Sequence, residues 1–196
     1  MARPREHDEA TRATLLDAAE SRLAEGGPEA VTVRGVAHAV GTTSRAVYSV
    51  FGSKGGLLAA LARRGYDTLT RMVRELPATE DPAADLVAIG LLAFRPFVRT
   101  HVGLFRLTFE RVPGSVLAHP DVRQAAAEAF GVLAERIRRA QDAGRLAHRP
   151  VEETAFGFHS LCQGLAISEL AREQPPIGAG FWQPVRGVDA ERLWRD

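Results

Sequence analysis

Apolar residues in this chain return every three or four positions, and the gaps between them are filled mainly with alanine, leucine, arginine and glutamate. That period places the apolar side chains along one face of an α-helix, and these residue types lose little on becoming helical. Between positions 9 and 25, Leu15, Leu16, Ala19 and Leu23 fall on one such face. No pair of strand-like runs joined by a hairpin signal interrupts the pattern. The spacing therefore predicts an all-α fold.

Glycine, proline and capping residues divide the pattern. A first helix over 9–25 stops at Gly26-Gly27-Pro28. A short helix over 33–40, capped by Thr32, ends at Gly41; another over 44–50 is capped by Thr43. Ser53 follows Gly52 and can cap a long helix over 54–75. The stretch Leu76 to Pro82 (LPATEDP) reads as a linker. Beyond it come a helix over 83–99 bent at Pro96, a short apolar helix over 102–111 and a break at Val112-Pro113-Gly114. Two long helices, 121–143 and 151–173, are separated by Gly144 and Pro150. After Pro175-Pro176 the chain is rich in Gly and Pro to about 187, and a last short helix is expected from Val188.

The 196 residues suffice for a small domain joined to a medium one, and 45% hydrophobic with 25% charged residues is an ordinary globular balance. No apolar run approaches the roughly 20 residues of a membrane span. The start, MARPREHDEATR, lacks the apolar core of a signal peptide, so a cytoplasmic location is expected. The single cysteine, Cys162, forms no internal disulfide and no multi-cysteine zinc site. Its apolar surroundings, FHSLCQGLAI, favour a buried small side chain over a reactive thiol. The six histidines show no His-x-x-x-His pairing, there is no phosphate loop, and no nucleophile elbow occurs. No enzyme activity, metal or cofactor is expected.

Charge is unevenly placed. Residues 1–29 carry four arginines against seven acids, whereas the 37 residues from Ala30 to Tyr66 contain no acid and five cations: Arg34, Arg45, Lys54, Arg63 and Arg64. An acid-free window in a chain with 24 acids suits a phosphate backbone. Inside that window, residues 33–52 (VRGVAHAVGTTSRAVYSVFG) have the parts of a helix-turn-helix. Ala37 is small enough for close approach of two helices, and Gly41 tolerates the positive φ of the turn. Val36, Val40, Val47 and Val50 point into the angle, while Thr43, Ser44, Arg45 and Ser49 face outward on a helix able to enter a major groove. A plain αα-hairpin matches the Ala-x-x-x-Gly spacing too; the acid-free window and the flanking helices favour DNA binding.

The stretch TVRGVAHAVGTTSRAVYSVFGSKGGLL closely resembles the N-terminal domain of the TetR family of transcriptional regulators, with Val47-Tyr48, Phe51 and Ser53-Lys54 in the family's places. The upstream TRATLLDAAESRLAEGG resembles its first helix. The resemblance implies that Thr43 caps the recognition helix and meets a phosphate, and that Ser44 and Arg45 face base edges. It further implies that Tyr48 touches the DNA backbone through its hydroxyl with its ring packed inward, and that Phe51 is core. Lys54, at the start of the fourth helix, and Thr32 with Arg34, at the start of the second, would hold further phosphates. Arg3 and Arg5 form an N-terminal arm, read as a solvated tail rather than a DNA contact. The sequence departs from the family at Arg45, usually a small residue, and at Gly55-Gly56, where an acid or other helix former is common. The Arg45 departure supplies a guanidinium for guanine readout; the two glycines imply a loosely started fourth helix.

The resemblance divides the chain into a DNA-binding domain over 1–66, its fourth helix continuing to about 75, and a helical ligand-binding and dimerisation domain over 77–196. Phe94, Phe97, His101, Phe105, Phe109, Phe130, Phe158, His159 and Cys162 are candidate liners of an effector pocket, with ordinary core as the alternative for each aromatic. AFGFHSLCQGLAISEL resembles the WHG-domain subgroup, with Gly164 kept, Gln163 in place of its His and a Phe in place of its Trp. The helices over 121–143 and 151–173 are the expected homodimer interface, unless both are buried within one subunit. The function implied is a ligand-responsive repressor that binds operator DNA. The competing reading is a protein-binding adaptor that keeps the helix-turn-helix as a scaffold.

Overall fold

The computed structural model describes the backbone of residues 3–110 and 112–173, and the side chains of 9–110 and 112–171. All regular structure among the described residues is helical: α1 (Arg3–Ala30), α2 (Val33–Ala39), α3 (Ser44–Phe51), α4 (Lys54–Glu75), α5 (Pro82–Ala88), α6 (Arg95–Thr100), α7 (Val102–Phe105), α8 (Gly114–Leu117), α9 (Pro120–Asp142) and α10 (Val151–Glu173). π-helical segments, Ile89–Phe94 and Arg106–Glu110, follow α5 and α7. The last helix expected from Val188 lies outside the described residues.

Glycine marks the breaks. α1 is kinked at Gly26 and Gly27, whose backbone angles are not helical, and Gly27 and Gly41 have φ of +68°, a region that excludes most side chains. Just before Pro96, where a bend is expected, the chain forms the π segment Ile89–Phe94, after which the Arg95 N–H reaches back to the Gly90 carbonyl. A proline leaves a carbonyl one turn earlier without its partner, and a register change ahead of the proline absorbs that loss.

Two compact units emerge. Among the described residues, one holds those up to 68 with 101–127, the other 69–100 with those from 128 to 173. In the first, Leu15, Leu23, Val36, Val47, Leu57, Leu61, Leu104 and Phe105 form the core. α7 lies against α1 because Gly103 allows it: a Cβ there would sit 3.0 Å from the Ala24 backbone nitrogen. Gly65 similarly brings α4 onto Thr108, whose carbonyl accepts the Tyr66 hydroxyl at 3.1 Å. In the second, Leu86, Ile89, Phe94, Phe97, Ile137 and Ala166 are buried, and α6 packs on α10.

Candidate nucleic-acid interface

The helix-turn-helix forms from local rules. The Thr32 side chain accepts the Gly35 N–H at 3.1 Å and the Thr43 side chain accepts the Ala46 N–H at 3.2 Å, so both short helices are capped where expected. Val36 and Val47 are fully buried between α2 and α3, with Ala37 at the close approach. Val40 and Val50, expected in the same angle, are only half-buried. Val40 caps α2 with non-helical angles and so leaves its buried face.

The outer face of α3 carries Arg45, Tyr48 and Ser49, all exposed, with Ser44 half-buried at its start. Tyr48 corrects one expectation: its ring does not pack inward but stands 51% exposed. Val47 and Phe51, four residues apart, take the inward face, which turns Tyr48 toward solvent. Hydroxyl and ring are thus both available to a ligand outside the fold.

The five cations of the acid-free window do not share one fate. Arg64 reaches back to α1, bonding Asp17 at 2.5 Å and Glu20 at 3.0 Å, and Glu20 also meets His101 Nδ1 at 2.6 Å. Arg63 lies 3.3 Å from Asp67 and 3.7 Å from Asp121. Both arginines are engaged by acids from outside the window. Lys54 has one loose contact, 3.5 Å from exposed Glu29, a type of pair worth about 0–1 kcal/mol and easily exchanged for phosphate. Arg34 and Arg45 are exposed and make no ion pair among the described residues. The cationic face therefore narrows to Arg34, Arg45 and Lys54, at the starts of α2, α3 and α4.

α4 begins at Lys54, and Ser53 Oγ accepts the Gly56 N–H at 3.0 Å. Gly56 has a steric reason, since a Cβ there would overlap the Phe51 carbonyl. Gly55 has none: its Cβ would meet only Ser53 Oγ, at 3.5 Å.

Comparison with known proteins agrees with this geometry. Residues 15–61 match the model of bacterial regulatory proteins of the tetR family, and residues 86–179 match the tetracyclin repressor-like C-terminal domain. The chain belongs to the TetR family. It is a DNA-binding transcriptional regulator, and the adaptor reading finds no support. Solved structures of the same fold include a Rhodococcus sp. RHA1 protein of unknown function, 24% identical over 93% of this chain and 89% of the other, with a TM-score of 0.72. The TetR family transcriptional regulator PfmR from Thermus thermophilus is 19% identical over 92% of each chain, at a TM-score of 0.64. FadR from Bacillus subtilis, solved with stearoyl-CoA, is 13% identical over 93% of this chain and 92% of its own, at 0.68. No curated protein matches the chain.

One cation of this TetR-family regulator escaped the sequence reading. The Arg22 guanidinium lies beside the start of α2: a Cβ on Gly35 would sit 2.9 Å from Arg22 Cζ and 2.7 Å from Thr32 Oγ1. Its Nε is buried without a hydrogen-bond partner. Arg22 was hidden because it belongs to the net-acidic first 29 residues. The α1 spacing of Ala19, Leu23 and Arg22 was the signal that would place it toward α2.

The nine candidate pocket residues fall in both units. His101, Phe105 and Phe109 belong to the first, where Phe105 is buried and Phe109 meets Tyr66 edge-on at 5.2 Å. In the second, Phe94, Phe97 and Cys162 are buried, and Phe94 meets His159 edge-on at 5.7 Å. Burial lowers the His159 pKa, favouring the neutral ring, and pushes the Cys162 thiol up to about 12. Phe158 is half-buried, and Phe130 on α9 is 37% exposed.

Proposed function

We propose that this regulator is a ligand-responsive repressor that binds a two-fold symmetric operator as a homodimer in the cytoplasm. The observation that carries the reading is the division of α3: Val47 and Phe51 are buried while Arg45, Tyr48 and Ser49 face outward, flanked by Arg34 and Lys54. In this reading Arg45 and Ser44 read base edges. Thr43, Tyr48 and Ser49 meet the backbone around α3, and Thr32, Arg34 and Lys54 hold phosphates at the helix starts. Residues 1–66 with the rest of α4 act as the DNA-binding domain, and 77–196 as the regulatory and dimerisation domain. The two recognition helices of a dimer lie about 34–36 Å apart, on successive major grooves.

Dimerisation is assigned to α9 and α10. Phe156 and Leu161 are 68% and 62% exposed on α10. Gly157 and Gly164 have open space where a side chain would stand, so a second helix pair can approach closely. The effector is assigned to the second unit, beside Phe94, Phe97, Phe158, His159 and Cys162, whose apolar character with one neutral imidazole suits a largely apolar small molecule. Its binding would favour a headpiece spacing that no longer fits the operator.

The test is selection of bound fragments from a random duplex pool. A two-fold symmetric site is the expected result. Recovery of no preferred sequence, or of a single asymmetric half-site, would overturn the reading.

A further inference from the structure

The guanidinium of Arg22 is held by packing and by no counter-charge. Arg22 is half-buried on α1, between buried Ala19 and Leu23 on the face turned to α2. A Cβ on Gly35 would come within 2.9 Å of Arg22 Cζ and 3.0 Å of Nη1, so the arginine lies over the first turn of α2 in space that a glycine leaves open. It makes no hydrogen bond or ion pair among the described residues.

The groups that could answer it are engaged elsewhere or turned away. Asp17 and Glu20, on the same helix, are bound to Arg64, and Glu20 also to His101. Glu29 pairs with Lys54. Glu25, three residues on, is exposed and makes no ion pair among the described residues. Thr32 Oγ1, beside the guanidinium, accepts the Gly35 N–H. The two ends of the guanidinium differ. Nε is buried without a partner, whereas Nη1 and Nη2 are not closed off from solvent. The inner atom is thus enclosed by the fold, and the outer pair is what a ligand meets. Arginine does not shed its proton, and a buried N–H with no acceptor costs roughly 1–3 kcal/mol. A residue that carries this cost and gains no polar contact within the chain points to an anion outside it.

We infer that Arg22 holds a phosphate of the duplex backbone through Nη1 and Nη2, next to the phosphate assigned to Thr32 and Arg34. The inference rests on the operator reading of this surface and extends it to α1. Exposed Arg34 precedes Gly35 in the chain, so both cations border the same turn of α2. The planar fork of arginine matches two phosphate oxygens. A backbone contact carries no base preference, so Arg22 adds affinity and register rather than sequence readout. The competing role is packing alone, a stem lying on α2 with its charge in water. The two roles differ in what salt does to binding.

The full-length protein and its Arg22→Met and Arg22→Lys variants are titrated with a mixed-sequence duplex of about 30 base pairs, room for two half-sites, at salt between about 50 and 200 mM. Arg22→Met keeps an apolar stem without the charge. It should bind at least about tenfold more weakly at about 0.1 M salt, with a slope of log K against log salt shallower by about 0.9 per subunit. Arg22→Lys should keep most of the parent's slope. The melting temperature of Arg22→Met should not fall below the parent's, because the buried N–H without an acceptor leaves with the arginine. A methionine variant with the parent's slope, a lysine variant no better than methionine, or a methionine variant that melts well below the parent would each overturn the proposal. A parent that binds no duplex would overturn the operator reading as well. A parent that binds, matched by its methionine variant, removes the role of Arg22 alone.

Discussion

Arg45 and Lys54 hold the same charge but different stations, and their variants should separate cleanly. Arg45, exposed on the first turn of α3, is placed to read a base. Arg45→Ala should relax specificity at one base pair per half-site, at a cost of about 1–3 kcal/mol against the preferred sequence. Lys54→Ala should weaken all duplexes about equally and reduce the salt slope by about one; salt-dependent gel-shift titration on preferred and scrambled sites reads both. The paired glycines give a second residue-scale contrast. Gly55→Ala should raise stability by about 0.5–1 kcal/mol, because nothing closer than Ser53 Oγ at 3.5 Å meets the new methyl. Gly56→Ala should lower stability, because its methyl overlaps the Phe51 carbonyl; denaturant midpoints decide both signs. Thr32, Thr43, Gly41 and Arg45 were legible in the sequence, since caps and turns act over three or four residues. The outward ring of Tyr48 was not, because it depends on which neighbours fill the inner face.

At the scale of elements, the stretch that composition marked as a mere linker is held firmly. Arg136 on α9 donates to the carbonyls of Leu76 at 2.7 Å and Pro77 at 3.0 Å, at the end of α4. A cation there answers both the open carbonyls and the negative end of the helix dipole. Beside it, buried Asp85 accepts the Thr79 hydroxyl at 2.7 Å and the Thr79 N–H at 3.0 Å, and pairs with Arg139. Burial alone would raise the Asp85 pKa; the Thr79 bonds and Arg139 outweigh it and hold the carboxyl below its usual value. The group therefore stabilises the fold above the ordinary aspartate pKa and loses that contribution as pH falls through the lowered one. Asp85→Asn should cost about 1–3 kcal/mol at neutral pH, and the gap from the parent should shrink on acidification below pH about 4. Thermal melts across that range check it; a gap that stays constant with pH would exclude the carboxylate as its source. The sequence placed α4 and α9 correctly but carried no sign that they share this clasp, because Arg136 lies 60 residues from Leu76.

For the whole molecule, the decisive question is what covers α10. Leu161→Glu should convert the protein to monomers in sedimentation experiments and sharply weaken operator binding, because a dimer gains its second half-site at high effective concentration. The helical content in circular dichroism should stay near the parent's, since Leu161 is exposed within the subunit. A dimer unchanged by this variant would move the interface elsewhere. The amino-acid sequence by itself determined the helices, their caps, the Gly41 turn and the acid-free stretch, because each rests on interactions between near neighbours in the chain. Only the tertiary structure decided which charges stay available. Arg64 is engaged by Asp17, 47 residues away, and Arg63 by Asp121 on α9, while Arg22, from an acidic segment, comes to stand beside the start of α2. Charge is written residue by residue, but its partners are assigned by distance in space, and that distance exists only once the helices have packed.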